Sequence, residues 1–366
     1  MPTGHIRPAF LGLLEFDLRA KTAPTVADPY GSAVVTTLIT GAGLIGTAFA
    51  QFALGRGEAV VFADPEPRAD FLRMKLGDGN FVLARTDVRD LPALVELART
   101  HRVDTLVHTA GLIGPRVQQS LGLGFDINLG GTRNVAEAVR LAGARRLVHL
   151  SSLAVYDRRR EAKAGKQAPI DEDFPRGGNR GYGNFKAAKE LILEAYAAAH
   201  GFELVMLRPA NVFGLGHYWS GSSGGQKMHN LIEAAFEGRA VRIPLSETLA
   251  HEYVYAKDVG RAVDRAATVP LPAETVFNIG NGYVTSFDEV LAAVRVLFPA
   301  MSYEIEAGER PQAKPAPLDI SRAKRHLGWE PRFTIASAFA DYLAELTQAR
   351  GPARPAAPHR SGDKPA

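Results

Sequence analysis

A glycine-rich turn directly after a short apolar run is the feature that most restricts how this chain can fold. The run 34–40 is rich in β-branched residues and predicts a buried strand. Gly41, Gly43 and Gly46 follow it in the spacing GxGxxG, and a helical apolar pattern begins at Leu44. A helix that starts at such a turn points unpaired N–H groups at a phosphate. The turn therefore predicts a dinucleotide site, with pyrophosphate-binding residues Gly41, Gly43, Leu44, Ile45 and Gly46.

Strand-like and helical patterns alternate beyond this turn. Short apolar runs predict further strands at 59–63, 81–84, 105–108, 147–150 and 203–207. Helical apolar spacing predicts helices at 44–54, 91–99, 127–141 and 182–200. Alternating strands and helices form βαβ units, so we predict an α/β fold of the Rossmann type: a doubly wound parallel sheet with helices on both faces.

The pattern divides the chain into four parts. Residues 34–214 form the predicted dinucleotide-binding domain. Residues 215–345, where elements become short and irregular, mainly form a smaller C-terminal substrate-binding lobe, and the chain is free to cross between lobes after 214. Residues 1–33 are an N-terminal extension whose apolar stretch is too interrupted by charges for a secretory signal. Residues 350–366, rich in Pro, Ala and charge, are predicted to be disordered.

Composition narrows the class of function. Of the 366 residues, 46% are hydrophobic and 22% are charged, as in ordinary globular proteins, and no apolar run is long enough for a membrane helix. The formal net charge of +4 is too small an excess to indicate nucleic-acid binding. The chain has no cysteine, which excludes disulfides and thiolate metal sites and fits a cytoplasmic protein. The ten histidines show no paired metal-binding spacing, so no metal is predicted.

A carboxylate at the end of the second predicted strand bears on the choice of cofactor. Asp64 lies 18 residues after Gly46, where a carboxylate accepts hydrogen bonds from the adenosine ribose hydroxyls and repels a 2′-phosphate. This favours NAD over NADP. Two alternatives stay open: Arg68 is placed to accommodate that phosphate, and an Asp before Pro65 is also a common turn residue.

Two further strands end at the same edge of the predicted sheet. Asp87 and Val88 follow the third strand, where Asp87 is a candidate contact for the adenine amino group and Val88 for packing beside it. The fourth strand ends in Thr109, Ala110 and Gly111, whose small side chains leave room for a cofactor. Each of these segments is equally compatible with a plain strand-to-loop turn.

The start of the long helix at 182–200 carries a candidate acid/base pair. Tyr182 and Lys186 are four residues apart, which places the phenol and the ammonium on one helix face. A nearby ammonium stabilises phenolate, so we expect a lowered tyrosine pKa, and the lysine can also bond the nicotinamide ribose. Ser152, at the end of the fifth predicted strand, is placed to orient a substrate oxygen beside Tyr182, and Ser151 is the alternative hydroxyl.

Together these residues resemble the extended short-chain dehydrogenase/reductase family, specifically its NAD-dependent epimerase/dehydratase group, over residues 34–345. The resemblance rests on the following strings, which occur in the family's order: ITGAGLIG, LVHTAGL, DINLGGTRNVAEA, HLSSLAVYD, YGNFK, LRPANVFG, HEYVYAKDV, FNIGNG and AKRHLGWEP.

The resemblance to UDP-galactose 4-epimerase-like members implies NAD as cofactor and a sugar-like substrate, often a nucleotide sugar. It implies that Ser152, Tyr182 and Lys186 are the catalytic set. It places Asn128 near the active site and Asn211 at a substrate contact. It also implies a homodimer formed by the helix that precedes Leu141 and the Tyr182 helix of each subunit.

Several departures from the family pattern bear on the substrate. The family's acidic pair after the catalytic hydroxyl is replaced by Leu153 and Ala154, which disfavours a dehydratase. His251 stands where nucleotide-sugar enzymes usually have an arginine that holds the diphosphate, and the family's RPGD-like segment keeps Arg310 but loses its Asp. His251 and Arg310 remain candidate substrate contacts. The polar, glycine-rich segment 217–225 is equally compatible with a mobile substrate loop and a plain linker.

The sequence thus favours an NAD-dependent enzyme that oxidises a sugar or sugar-derived hydroxyl through Tyr182. An epimerase retains the ketone and reduces it again on its other face. A dehydrogenase of a non-nucleotide sugar, a sugar acid or another hydroxy compound releases the ketone instead. A non-catalytic NAD-binding protein is the third hypothesis, and the complete set of Ser152, Tyr182 and Lys186 argues against it.

Overall fold

The computed structural model describes residues 34–157, 168–177, 181–216, 223–309, 315–351 and 353. The predicted extension at 1–33, nearly all of the predicted tail, most of the segment 217–225, and Arg310 lie outside these residues.

Eleven strands are present in the described residues: β1 (Thr36–Thr40), β2 (Ala59–Ala63), β3 (Phe81–Ala84), β4 (Thr105–His108), β5 (Arg146–Leu150), β6 (Glu203–Pro209), β7 (Asn211–Phe213), β8 (Val241–Pro244), β9 (Tyr253–Tyr255), β10 (Val276–Ile279) and β11 (Tyr303–Glu306).

The helices of the same residues are α1 (Leu44–Gly55), α2 (Ala69–Leu76), α3 (Leu91–Thr100), α4 (Pro115–Gln119), α5 (Leu121–Gly124), α6 (Gly131–Ala142), α7 (Tyr182–His200), α8 (Ser223–Phe236), α9 (Ala256–Thr268), α10 (Phe287–Leu297), α11 (Ser321–Leu327) and α12 (Ile335–Arg350). A π-helical turn, Phe125–Gly130, leads into α6, and short 3₁₀ turns lie at Leu153–Val155 and Leu245–Glu247.

Seven strands pair in parallel into one sheet, in the order β3-β2-β1-β4-β5-β6-β10. All residues of β1, β4 and β5 are buried, as expected for strands of a parallel sheet covered on both faces. The chain reverses its direction of strand addition between β1 and β4, and in such sheets the crevice outside the carboxyl ends at this point binds ligands. The predicted fold class is confirmed.

Helices cover both faces of this sheet. On one face, α1 and α9 pack so closely that a Cβ on Gly260 would lie 2.6 Å from the backbone carbonyl of Ala48. On the other face, apolar residues of α3, α6 and α7 form a second buried cluster with the strands, including Leu94, Val135 and Leu193.

The C-terminal half of the chain contributes to both the sheet and a separate core. A third buried cluster joins residues of α8, α10 and α12, among them Ile232, Val294 and Phe339. The strand pairs β8-β11 and β7-β9 are both parallel. The same half supplies β10 to the main sheet and α9 to the face that α1 covers. None of the helices in the described part combines the length and apolar character that a membrane crossing needs.

Candidate active site

The glycine turn lies at the carboxyl end of β1, where the chain changes from adding strands on one side of β1 to adding them on the other. Gly41 has a φ of +94°, and a Cβ there would lie 2.7 Å from Thr109 Oγ1 and 3.0 Å from Ala110 N. Glycine is therefore required both by the backbone conformation and by the close approach of the β4 loop. Gly43 is different, since a Cβ there would meet nothing within 4 Å. No side chain caps α1 at this residue, so the helix start presents its N–H groups to open space.

Asp64 contacts this turn directly. Its Oδ2 accepts a hydrogen bond from Ala42 N at 2.9 Å, and its Oδ1 accepts one from Glu66 N at 2.8 Å. The carboxylate is partly exposed beside the turn, and each oxygen keeps a further lone pair for another donor. The predicted place of Asp64 next to the phosphate-binding turn matches the geometry, and its ribose contact stays a prediction.

The carboxylate of Asp87 is bound by its neighbour. Arg89 donates to both oxygens, with Nε at 3.0 Å from Oδ1 and Nη2 at 2.7 Å from Oδ2. This hydrogen-bonded arginine lowers the pKa of Asp87. Val88 is buried and lies against Gly131 at the start of α6. Asp87 can therefore accept the predicted hydrogen bond from the adenine amino group only through lone pairs that Arg89 does not occupy.

Tyr182 and Ser152 meet at the carboxyl end of β5. Tyr182 is the first residue of α7, and its phenol hydrogen-bonds Ser152. Burial raises the pKa of the Tyr182 phenol to about 12, and the hydrogen bond with Ser152 opposes this rise. The lowered pKa expected from the sequence is thus not found in the chain alone, because burial of the phenol disfavours its charged form.

Lys186 lies one turn along α7 with its Nζ 5.8 Å from the centroid of the Tyr182 ring. Its Nζ donates to Leu150 O at 2.6 Å, which ties the lysine to the end of β5 rather than to the phenol oxygen. Burial lowers the pKa of Lys186 to about 8, and the negative charge of Glu190 opposes that shift. The structure therefore brings the three predicted catalytic residues together.

A buried ion pair that the sequence did not predict supports this cluster. Glu190 is fully buried and accepts hydrogen bonds from Arg208 Nε at 3.0 Å, Arg208 Nη2 at 2.7 Å and Ser151 Oγ at 2.5 Å. Arg176 Nη1 adds a further bond at 3.0 Å. Ser151 is thus engaged with Glu190, which leaves Ser152 as the hydroxyl beside Tyr182. The only signal in the sequence was the spacing of Glu190 four residues after Lys186.

Asn128 lies in the π-helical turn and binds the loop that follows β4. Its Oδ1 accepts from Leu112 N at 2.9 Å, and its Nδ2 donates to Leu112 O at 3.1 Å. The loop residue Thr109 donates through Oγ1 to Thr40 O at 2.8 Å. These contacts hold the loop that follows β4 in place. Asn128 and Thr109 therefore have a structural function in addition to any contact with the cofactor.

Comparison with protein families identifies the group to which these features belong. The NAD dependent epimerase/dehydratase family matches residues 37–280. The chain belongs to this family. It is accordingly an NAD-dependent enzyme, as the resemblance seen in the sequence implied.

Relatives of the epimerase/dehydratase chain match it over nearly their whole length. A UDP-glucose 4-epimerase from Mycolicibacterium smegmatis is 30% identical over 319 residues, which cover 83% of this chain and 96% of the relative. A UDP-glucuronate 4-epimerase from Thermodesulfobacterium geofontis is 26% identical over 310 residues, with 81% and 92% covered. The structure of Thermus thermophilus UDP-glucose 4-epimerase in complex with NAD superposes with a TM-score of 0.72 at 26% identity and covers 84% of this chain and 99% of that one.

The glycine turn of this epimerase/dehydratase chain fits its cofactor. The open space at Gly43 and the uncapped start of α1 suit a pyrophosphate, and the carboxylate of Asp64 beside the turn suits ribose hydroxyls. The small residues Thr109 and Ala110 border the same turn.

Two of the predicted substrate contacts of the epimerase/dehydratase chain, Asn211 and His251, lie on or beside the β7-β9 strand pair. Asn211 begins β7, pairs in register with Tyr253 of β9, and donates through Nδ2 to Glu252 O at 2.9 Å. His251 lies two residues before the start of β9. Its ring packs edge-on against the ring of Tyr253, with 5.9 Å between the two centroids. Glu252 itself is buried and accepts from Gly282 N and Leu318 N, so it joins three segments of the chain.

Proposed function

We propose that this enzyme is a 4-epimerase of a UDP-hexose or UDP-hexuronate. The observation that carries the proposal is the hydrogen bond between the half-buried Tyr182 and Ser152, with Lys186 one helical turn away, at the carboxyl end of β5. Curated relatives that are matched over more than nine-tenths of their length are 4-epimerases of these two substrate classes, and their activity supports the assignment.

In this proposal Tyr182 is the acid/base residue. Its phenol oxygen takes the proton of the substrate hydroxyl and later returns it, while Ser152 holds the same substrate oxygen by hydrogen bonding. Bound NAD supplies the reversible uptake of hydrogen from the carbon that carries this hydroxyl. Inversion results when the oxidised sugar turns within the site before it is reduced again.

Lys186 supplies the charge that this chemistry needs. A phenol buried without a cation ionises only in strong alkali, as the raised pKa of Tyr182 indicates. The ammonium of Lys186 on the same helix face stabilises the phenolate, and its bond to Leu150 O keeps it beside the ring. Removal of water from the site strengthens this attraction.

A dehydrogenase of a smaller sugar or sugar acid is the second candidate. The observation that favours it is His251, which stands where the family pattern has an arginine for the diphosphate. Without that arginine a nucleotide sugar loses one charged anchor, and an oxidised product is less firmly retained. The two candidates therefore differ in the fate of the oxidised sugar.

The deciding experiment follows product and cofactor together. The enzyme is incubated with NAD and, separately, UDP-glucose, UDP-glucuronate, free hexoses and hexuronates. The proposal expects inverted UDP-sugar by proton NMR with no accumulation of NADH absorbance. Stoichiometric release of NADH with a free sugar or sugar acid, and no inversion of either UDP-sugar, would establish the dehydrogenase instead.

A further inference from the structure

A second lysine lies buried beside the proposed catalytic set. Lys189 follows Lys186 by three residues on α7, so both side chains leave the helix on the same side. Lys189 is 1% exposed, and its Nζ donates to Ala110 O at 3.1 Å. Among the residues that the structure describes, no carboxylate forms an ion pair with it. A buried lysine without an anionic partner is costly, which calls for a reason why the chain keeps it.

The loop that Lys189 holds borders the cofactor turn. The backbone N of Ala110 lies 3.0 Å from the Cβ position of Gly41, which belongs to the glycine turn. On the helix side, the Cβ position of Gly111 lies 3.4 Å from Lys189 Nζ and 2.6 Å from Asn128 Oδ1. The loop Ala110–Leu112 is therefore held between the cofactor turn and α7 by contacts on both sides.

Charged and titratable groups face Lys189 from several elements. Lys186 lies beside it on α7, and the imidazoles of His108 and His149 approach from β4 and β5. Burial lowers the pKa of both histidines well below the ordinary value, with the two lysines as the next causes, so both rings are neutral near pH 7. The remaining groups that contact α7 are Arg208 from β6 and Arg176, both bonded to Glu190, and Glu137 from α6, bonded to Tyr196 farther along the helix.

Negative charge is scarce in this cluster. Glu190 is the carboxylate that acts on Lys186, and it is already hydrogen-bonded to Arg208 and Arg176. Together with burial, the charge of Lys186 lowers the pKa of Lys189 well below its ordinary value. A neutral amine still donates N–H bonds, so the contact of Lys189 with Ala110 O does not require its charge.

We propose that Lys189 is a positioning residue for the reaction, which fixes the loop Ala110–Leu112, beside the cofactor turn, to α7. The proposal rests on the proposed function of the neighbouring site. It explains why a buried lysine is kept at a place where an apolar side chain would pack with less cost.

Two substitutions test the hydrogen bond to this loop. Lys189→Gln keeps an N–H donor for Ala110 O, whereas Lys189→Met removes it. Calorimetry measures NAD binding. This readout does not require turnover, so failure of the 4-epimerase assignment would leave the result interpretable.

We expect Lys189→Met to weaken NAD binding about fivefold, as for the loss of one hydrogen bond that positions the loop, and Lys189→Gln to weaken it less. An unchanged NAD affinity in Lys189→Met, or an equal loss in both variants, overturns the positioning function.

A matched control separates these effects from the loss of any buried lysine. The side chain of Lys75 on α2 is also largely covered, and its Nζ pairs with Glu345 at 2.5 Å, away from α7. Lys75→Met should lower Tm but leave NAD affinity at its wild-type value. A loss of NAD affinity in Lys75→Met as large as that in Lys189→Met would show general destabilisation and overturn the proposal.

Discussion

Replacement of Tyr182 by phenylalanine removes a single oxygen from a half-buried side chain. The fold and NAD affinity should persist, because the ring still packs at the start of α7. Turnover should fall by about 10²- to 10⁴-fold, the usual contribution of a general acid/base group. Steady-state kinetics with UDP-glucose and calorimetry with NAD measure the two quantities. Near-normal turnover would assign the proton transfer to a different residue.

The adjacent serines provide a matched pair. Ser152→Ala removes the hydroxyl that bonds Tyr182 and should lower kcat with little loss of stability. Ser151→Ala removes a hydroxyl bonded to buried Glu190 and should instead lower the free energy of unfolding by about 1 kcal/mol, with a smaller effect on kcat. The assignment fails if the two variants show the opposite division between kcat and Tm.

The two ionisable groups of the proposed site set an expected pH dependence. The pKa of Lys186 is lowered by burial to about 8, and that of Tyr182 is raised by burial to about 12. At low pH the Lys186 amine and the Tyr182 phenol are both protonated. As the pH rises, the pair loses its first proton near the lower of the two pKa values, about 8. The proton that remains is shared between the lysine amine and the phenol, and the form with phenolate and ammonium is the active one.

The initial rate should therefore rise roughly tenfold per pH unit below about pH 8 and then level off. The rising limb should move to higher pH in Lys186→Met, since the phenol then loses its neighbouring cation. Rates at saturating UDP-glucose and NAD across a constant-ionic-strength buffer series test this. A rate independent of pH between about pH 6 and about pH 8 contradicts it.

The predicted preference for NAD over NADP depends on Asp64. Its carboxylate lies against the glycine turn through Ala42 N, where a 2′-phosphate would meet negative charge. Asp64→Ala should weaken NAD binding and narrow the preference for NAD over NADP, measured by calorimetry with each cofactor. Asp64→Asn is the matched control that keeps the side-chain size. Tighter binding of NADP than of NAD by the wild type would refute the function assigned to Asp64.

The sequence predicted the residues whose proximity follows from their spacing along one helix. It did not predict the buried ionic partners that come from other elements. Tyr182 and Lys186 share a helix face, so their proximity follows from the sequence alone. The contact of Glu190 with Arg208 joins α7 to β6, and the burial that makes Lys189 notable depends on how α7 lies against β4 and β5. Such contacts arise only from tertiary packing.

At the scale of elements, apolar periodicity predicted the parallel strands and α7 closely. It missed α2, which has only Phe71 and Leu72 buried and is otherwise polar. It also predicted one continuous helix at 127–141, whereas a π-helical turn precedes α6. The membership of β10 in the main sheet was not predictable from local pattern, since its partner β6 lies far away in the sequence.

The packing of α1 on α9 allows a stability prediction with the same substitution at two sites. Gly260→Ala places a methyl group 2.6 Å from the Ala48 carbonyl and should destabilise the fold by about 1–3 kcal/mol. Gly55→Ala, at the end of α1, meets nothing within 4 Å and should stabilise by about 0.4–1 kcal/mol. Urea denaturation measures both, and equal signs for the two variants would contradict the described packing.

At the scale of the whole molecule, an apolar surface supports the expected homodimer. Leu121 and Phe125 are 59% exposed and Leu191 is 55% exposed. Leu191 lies on α7, one of the two helices that the family resemblance assigns to subunit contact. Leu121 and Phe125 lie on α5 and the π-helical turn, which lead into the other helix, α6. Exposed apolar residues concentrated on packed helices are typical of protein interfaces.

Leu191→Glu should therefore convert a dimer into a monomer in light scattering at micromolar concentration. Val296→Glu is the matched control, because Val296 is 79% exposed on α10, away from these helices. Its mass should equal that of the wild type. A wild-type protein that is strictly monomeric, or a dimer that survives Leu191→Glu, would refute this interface.

The position of β10 also has a consequence for synthesis of the chain. Until residues 276–279 have left the ribosome, β6 has an open edge with unpaired backbone groups. The buried guanidinium of Arg146 likewise finds its carbonyl acceptors only when Ala266 and Val269 are available. The nascent nucleotide-binding half is therefore an incomplete folding unit, exposed to aggregation and to chaperone binding until three-quarters of the polypeptide has been translated.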